Sequence, residues 1–310
     1  MKILLLGANG QVGFELARSL APLGDLFCAT RDGLLASGEH CLRTDLAEPE
    51  TLGNLLHETR PDIVVNAAAY TAVDRAEDEE NLADRVNHWA LTVLGAWAAQ
   101  TGALVVHYST DYVFDGQGTR PYCEEDATAP LGVYGRSKLA GEEALRASDC
   151  DHLILRTAWV YAARGKNFLL GMLRLARERD QLRVVNDQRG APTTARLIAD
   201  ATLLALTHWL AFDAAKRATT RGTYHLCASG ECTWYEFAGA IFQRAHFAGL
   251  IDRQPRVMPI TTAEYPTKAR RPAYSVLDTS KFCNVFRRHL PKWEHGLDTV
   301  VGELAMMQQC

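Results

Sequence analysis

The 310-residue chain is 47% hydrophobic and 23% charged, with a formal net charge of −4 at pH 7. That composition suits a globular protein of one large domain or two sharing a boundary. With no concentrated basic face and no apolar run near the roughly 20 residues of a spanning helix, it argues against nucleic-acid and membrane partners.

Residues 2–6, "KILLL", form a short apolar run that ends in "GANGQVG". The N-terminus lacks the charged, apolar and cleavage regions of a signal peptide, so a cytoplasmic protein is expected. "FELARSLAPLG" has Phe14, Leu16, Ala17 and Leu20 at helical spacing, and "DLFCAT" reads as the next strand. Strand, glycine turn, helix and strand make one unit of a parallel sheet. The alternation continues with "TLGNLLHETR" as helix and "DIVVNAAA" as strand. A long helix is predicted through "NLADRVNHWALTVLGAWAAQTG", with Gly102 as its stop. "ALVVHYST" and "HLILRTAWVY" are further strands, separated by "VYGRSKLAGEEALRAS" as helix. Continuously apolar strands such as "DIVV" and "ALVV" predict helices on both sheet faces. The fold class is α/β: a Rossmann-like, doubly wound parallel sheet with a smaller, interleaved C-terminal lobe. Residues 1–155 are expected to form the nucleotide-binding domain, with about 185–215 returning to it. Residues 156–310 are expected to form mainly the substrate-binding lobe. The eight cysteines, at 28, 41, 123, 150, 227, 232, 283 and 310, are scattered without a C-x-x-C. They read as free thiols rather than as a disulfide framework or zinc site.

Gly7, Gly10 and Gly13 follow the first strand and open a helix. Unpaired N–H groups, a favourable dipole and missing side chains at such a turn suit a dinucleotide pyrophosphate. The bland alternative is a tight turn that binds nothing. At the end of the second strand, "CATRDG" places Arg31 first and Asp32 just beyond. An arginine there favours a 2′-phosphate and an acidic residue a 2′-hydroxyl, so NADPH is expected over NADH.

"ALVVHYSTDYVF" ends in Ser109, Thr110, Asp111 and Tyr112, at the strand edge where ligands sit in such sheets. Tyr134 and Lys138, four residues apart, share one helix face. A hydroxyl beside a tyrosine and a lysine makes a carbonyl-reduction site, with the tyrosine as general acid. An ammonium 4 Å from a phenolate gains about 4 kcal/mol at an effective dielectric of 20, against about 1.4 kcal/mol per pKa unit. A lowered tyrosine pKa is therefore expected. His107, inside a strand, reads as core.

On "GANGQVG", "RPDIVVNAAAYTAVDRAE", "VVHYSTDYVFDG", "VYGRSKLAGE", "LRTAWVY", "VVNDQRGAPT" and "RRPAYSVLD", the chain resembles the extended short-chain dehydrogenase/reductases over nearly its whole length. The resemblance implies NADPH- or NADH-dependent reduction of the C4 ketone of dTDP-4-dehydro-β-L-rhamnose, the last step of dTDP-L-rhamnose synthesis. Tyr134 would be the proton donor and Thr110 would orient it, while Lys138 would hold the nicotinamide ribose. Gly10, Gln11 and Val12 would lie along the pyrophosphate, between Gly7 and Gly13. Asp45 and Leu46 would meet the adenine end and Ala69, Tyr70 and Thr71 the ribose side, with Tyr108 also cofactor-binding. Asp111, Tyr112 and Trp159 would face the deoxysugar. Arg271 is a candidate for the substrate diphosphate, against the plainer reading of a surface ion pair. Some relatives dimerise through a magnesium ion held by two glutamates. Glu15 fits the first place, but Arg196 stands where the second would be, so no metal and a monomer or homodimer are expected. A family epimerase or dehydratase that recycles NAD, or a non-catalytic nucleotide-binding subunit, would share much of the same pattern.

Overall fold

The computed structural model describes residues 1–309. Six parallel strands come from the first half: β1 (Lys2–Leu6), β2 (Asp25–Thr30), β3 (Leu42–Arg43), β4 (Ile63–Asn66), β5 (Leu104–Thr110) and β6 (His152–Thr157). Short strands follow: β7 (Val160–Tyr161), β8 (Gln181–Val185), β9 (Arg189–Gly190) and β10 (Thr193–Thr194). Then β11 (Gly222–His225) returns to the main sheet, ahead of β12 (Cys232–Thr233) and β13 (Arg256–Ile260). The seven-stranded sheet has the order β11-β6-β5-β4-β1-β2-β3, and every neighbouring pair is parallel. The order turns back between β1 and β4, which is where a doubly wound sheet opens its ligand crevice.

Strand alternation sends side chains to two cores. Ile3, Leu5, Ile63, Val65, Leu104, Val106, Leu153 and Leu155 face one side. There they meet Leu16 and Leu20 of α1 (Gln11–Leu20), and Ile198, Ala201 and Ala205 of a later helix. Leu4, Leu6, Val64, Val105 and Ile154 face the other side, under Leu52, Leu55 and Leu56 of α2 (Pro49–Thr59). Each fully buried leucine or isoleucine contributes about 1.5–3 kcal/mol relative to exposure. Continuously apolar strands are the result of this two-sided burial.

The predicted long helix forms, with one π turn inside it and a separate short helix before it. The chain forms α3 (Val73–Ala76), α4 (Glu80–Asp84), a π turn over Arg85–Trp89, and α5 (Ala90–Thr101). Gly102 ends it as expected, at φ 74° with its N–H on the Ala98 carbonyl at 2.8 Å. The π turn has a physical reason in α6 (Val133–Ala147): a Cβ on Gly141 would lie 2.1 Å from the Asn87 carbonyl. The bulged backbone rests on that glycine.

Beyond β6, helices α7 (Phe168–Glu178), α8 (Ala195–Ala211), α9 (Ala214–Thr220), α10 (Trp234–Phe247), α11 (Ser280–Phe286) and α12 (Trp293–Gln309) are built around the short strands. α8 packs on the sheet beside α1. A second core joins Leu169 and Leu173 of α7, Leu182 and Val184 of β8, Phe237 and Ile241 of α10, and Leu297 of α12. The described cysteines are free thiols, and Cys310 lies outside the described residues. No helix among the described residues is long and apolar enough to cross a membrane.

Candidate active site

The glycine turn sits at the crevice. Gly7 has φ +79°, and a Cβ there would lie 2.7 Å from the Ala68 backbone nitrogen. A Cβ on Gly13 would fall 2.0 Å from the Gly7 carbonyl. No side chain caps α1, and its first turn carries no acidic residue, so its N-terminal field is left for an anion. These features fit the pyrophosphate of a nicotinamide dinucleotide. The Gln11 side chain accepts from Asn167 Nδ2 at 2.7 Å, tying the turn to the start of α7, and Val12 packs on the core.

At the end of β2 the two candidate residues separate. Asp32 Oδ1 accepts from the Thr30 hydroxyl at 2.9 Å and the Leu34 N–H at 3.3 Å, and these bonds hold its carboxyl below its ordinary value. Arg31 is exposed and makes no ion pair among the described residues. Asp45 accepts from the Ala47 N–H at 2.9 Å in its own turn, whereas Leu46 is buried in the core under α2. After β4, Ala69, Tyr70 and Thr71 run along the same edge. Asn87 pins this segment, accepting from the Tyr70 N–H at 2.9 Å and donating to Ser137 Oγ at 3.0 Å. The Tyr70 hydroxyl donates to Glu79 at 2.6 Å.

β5 ends at Thr110, whose hydroxyl donates to Asp111 Oδ1 at 3.0 Å and accepts from the Tyr112 N–H at 3.1 Å. Burial pushes the Asp111 acid up to about 6, against the opposing hydrogen bonding of Ser275 and Thr110. α6 brings Tyr134 to the same place, edge-on to Tyr112 with ring centroids 5.7 Å apart. A Cβ on Gly135 would lie 2.3 Å from the Tyr112 carbonyl, so the glycine lets α6 approach this closely.

Contrary to the expected lowering, the Tyr134 pKa is raised. Burial pushes its hydroxyl well above the ordinary value; Thr110 works the other way, and Asp111 and Tyr112 add to the rise. Lys138 has other partners. The lysine is buried and turned elsewhere, with Nζ 3.0 Å from His107 Nε2 and donating to the Tyr108 carbonyl at 2.6 Å. Its own pKa falls to about 7, through burial. Tyr108 brings only its main chain to the site, because its hydroxyl is committed to Thr202 at 2.8 Å in the core beneath α8.

Arg271 donates to Tyr112 at 3.1 Å and to Asp74 at 2.7 Å, so in the free protein it is a half-buried ion pair at the rim of the site. Trp159 is held in the left-handed region, at φ +48°. Its indole stacks on Trp234 at 3.5 Å, and a Cβ on Gly190 would lie 2.4 Å from it. Glu15 lies 3.4 Å from Arg18, which also reaches Asp200.

Residues 1–306 match the family model described as "RmlD substrate binding domain". The dTDP-4-dehydrorhamnose reductase of Escherichia coli K12 is 47% identical over 304 residues, covering 98% of each chain. This chain belongs to the dTDP-4-dehydrorhamnose reductase family. Among solved structures, a dTDP-4-dehydrorhamnose reductase from Clostridium acetobutylicum is similar at TM-score 0.86 and 34% identity, covering 98% of this chain and 99% of that one. Another, from Bacillus anthracis and in complex with NADP, has TM-score 0.84 and 32% identity, covering 97% and 99%.

Several residues that shape the site in this dTDP-4-dehydrorhamnose reductase family member escape a motif reading. Asn66, His107 and Arg156 lie within otherwise apolar strands, and Asn87 lies in the π turn. The signal was available: His107 and Arg156 fall at alternation positions that face α6, where their strand neighbours Val105 and Ile154 are apolar. A polar side chain at such a position needs a buried partner, and each has one on that helix.

Proposed function

We propose that the chain reduces the C4 ketone of dTDP-4-dehydro-β-L-rhamnose to dTDP-β-L-rhamnose, with NADPH preferred and NADH as the alternative. The observation that carries this reading is the meeting of Thr110 and Tyr134 at the carboxyl edge of the sheet, with Lys138 one helical turn further on. The uncapped glycine turn lies at the same edge, and relatives along the whole chain bear that enzyme's name. When bound, the nicotinamide supplies the hydride. Tyr134 gives its phenolic proton to the C4 oxygen, and a phenol held above its ordinary pKa arrives protonated for that task. Thr110 orients the same oxygen, while Asp111, Tyr112 and Trp159 face the deoxysugar. Arg271 takes the diphosphate, exchanging its bond to Asp74 for a bidentate one. Lys138, with Ala69, Tyr70 and Thr71, holds the nicotinamide half; Gly7, Gly10, Gln11, Val12 and Gly13 hold the pyrophosphate; Asp45 and Leu46 flank the adenine. Residues 1–155 with α8 then serve the cofactor, and most of 156–310 serves the sugar. The enzyme works in the cytoplasm as a monomer or homodimer.

NADPH oxidation with the dTDP-4-keto sugar tests the assignment. Tyr134→Phe is expected to slow turnover by about 10²–10⁴-fold with cofactor binding retained. No turnover by the wild type, or equal rates for both proteins, sinks it. The cofactor preference rests on Asp32, whose carboxylate is occupied by its own turn, and on the exposed Arg31. Arg31→Ala should raise KM for NADPH about tenfold while leaving KM for NADH nearly unchanged, an effect of about 1.4 kcal/mol.

A further inference from the structure

A chain of hydrogen bonds crosses the sheet from the segment after β4 to α6. The Ala68 N–H donates to Asn66 Oδ1 at 3.1 Å, and Asn66 Nδ2 lies 3.3 Å from His107 Nδ1. His107 Nε2 lies 3.0 Å from Lys138 Nζ, which donates to the Tyr108 carbonyl at 2.6 Å. Asn66, His107 and Lys138 are all buried.

The ends of this chain fix its polarity. A backbone N–H can only donate, so the oxygen of the Asn66 amide faces Ala68 and the nitrogen faces His107. An amide NH₂ can only donate as well, which makes His107 Nδ1 an acceptor and places the ring proton on Nε2. The Nε2–H in turn needs an acceptor, and the atom it meets is Lys138 Nζ. An ammonium has no lone pair to offer. A free amine has one, and still keeps a hydrogen for the Tyr108 carbonyl.

We propose that Asn66 and His107 are positioning residues that hold Lys138 as a free amine in the protein without cofactor. The charged groups nearest Lys138 on α6, β6, β5 and the π turn agree. On α6 the charge that favours the ammonium is Glu142, but it is paired with Arg156 of β6 and with Arg146. The π turn faces α6 with uncharged Asn87, while its Arg85 is exposed and Asp84, just before it, lies 3.0 Å from His88 Nδ1. β5 adds Ser109 on this face, and beyond its end Asp111 is bonded to Thr110 near Tyr134. Burial drives Lys138 down to about 7 and His107 well below its ordinary range, the lysine opposing the second cation.

Charging Lys138 requires a specific rearrangement. Its Nζ then only donates, so the imidazole proton must sit on Nδ1, facing the Asn66 NH₂. The amide must turn over, and the Ala68 N–H loses its acceptor. Ala68 lies against Gly7 and leads into 69–71, so the charge on the lysine is coupled to the loop beside the glycine turn. The catalytic consequence rests on the reductase reading. Reduction of a ketone by hydride takes up one proton from solution per alcohol formed. A lysine that gains its proton near neutrality gives turnover a pH dependence there rather than near 10.

¹⁵N-histidine NMR of the full chain without cofactor tests this, with the His107 signals identified by their loss in His107→Gln. Above pH 7 the wild type is expected to show a protonated Nε2 and a bare Nδ1. Asn66→Asp offers one carboxylate oxygen to Ala68 and the other to Nδ1–H, so it should reverse the tautomer. It should also raise the proton affinity of Lys138 at least tenfold, moving the limb of the kcat/KM pH profile upward by a unit or more. An Nδ1–H ring in the wild type, or an unreversed ring in folded Asn66→Asp, overturns the proposal. A reversed ring with an unmoved profile overturns the coupling to Lys138. If Asn66→Asp does not fold, the wild-type tautomer alone decides. A chain that shows the Nε2–H ring but reduces no dTDP-sugar keeps this inference and loses the functional reading.

Discussion

Lys138 and Glu142 stand one turn apart on α6, 1% and 0% exposed, yet burial has opposite outcomes for their charges. Glu142 accepts from Arg156 Nε at 2.9 Å and Nη2 at 2.7 Å, and from Arg146 at 3.1 Å. Burial raises its pKa, but the bonds and charge of Arg156 overcome that and leave it below the ordinary value. Lys138 has neutral partners, so burial wins and its pKa falls to about 7. A buried charge with a bidentate partner is fixed at any physiological pH. One whose partners are neutral is poised to change.

The largest effect expected from breaking this contrast is on the fixed charge. Arg156→Met leaves Glu142 buried without its main partner and should cost about 3–5 kcal/mol in urea unfolding. The double variant with Glu142→Leu should recover much of that; a single-variant loss below about 1 kcal/mol would mean that the pair is not what holds this face. Next comes the poised charge. Lys138→Met should abolish turnover and, by leaving the His107 Nε2–H and the Tyr108 carbonyl buried without a partner, cost about 1–3 kcal/mol. In the unfolded chain the lysine titrates at its ordinary 10.5, and in the fold at about 7. Between those values the unfolded chain binds more protons, so wild-type stability should rise with pH across that window. Lys138→Met should remove this rise, and unfolding midpoints measured from pH 7 to 10 would reveal it. The smallest effect is at the rim: Arg146 is 39% exposed, and Arg146→Ala should cost less than about 1 kcal/mol.

The sheet was legible because its strands are buried on both faces, and runs such as "IVV" and "LVV" announce that directly. The glycine turn and the Tyr134–Lys138 spacing were legible because local geometry alone places them. The direction of the tyrosine's pKa was not. Spacing on a helix says that two residues share a face, but not where a flexible lysine ends, and His107 and the Tyr108 carbonyl captured it. The reading of His107 as core was half the matter, since it is fully buried and also bonded to the lysine. The π turn depends on contact between Asn87 and Gly141, far apart in sequence. The same holds for Arg271 with Asp74 and for Trp159 with Trp234, where each partner comes from a distant element.

The strand that closes one edge of the sheet, β11, is made long after the strand it covers. β6 is complete at Thr157, and β11 begins only at Gly222. On a ribosome adding 5–20 residues per second, the bare edge of β6 waits roughly 3–13 s for its neighbour. Throughout that interval the nascent chain offers an apolar strand with unpaired N–H and C=O groups, the kind of edge on which chains pair with one another. That edge is exposed during synthesis, before the second core exists.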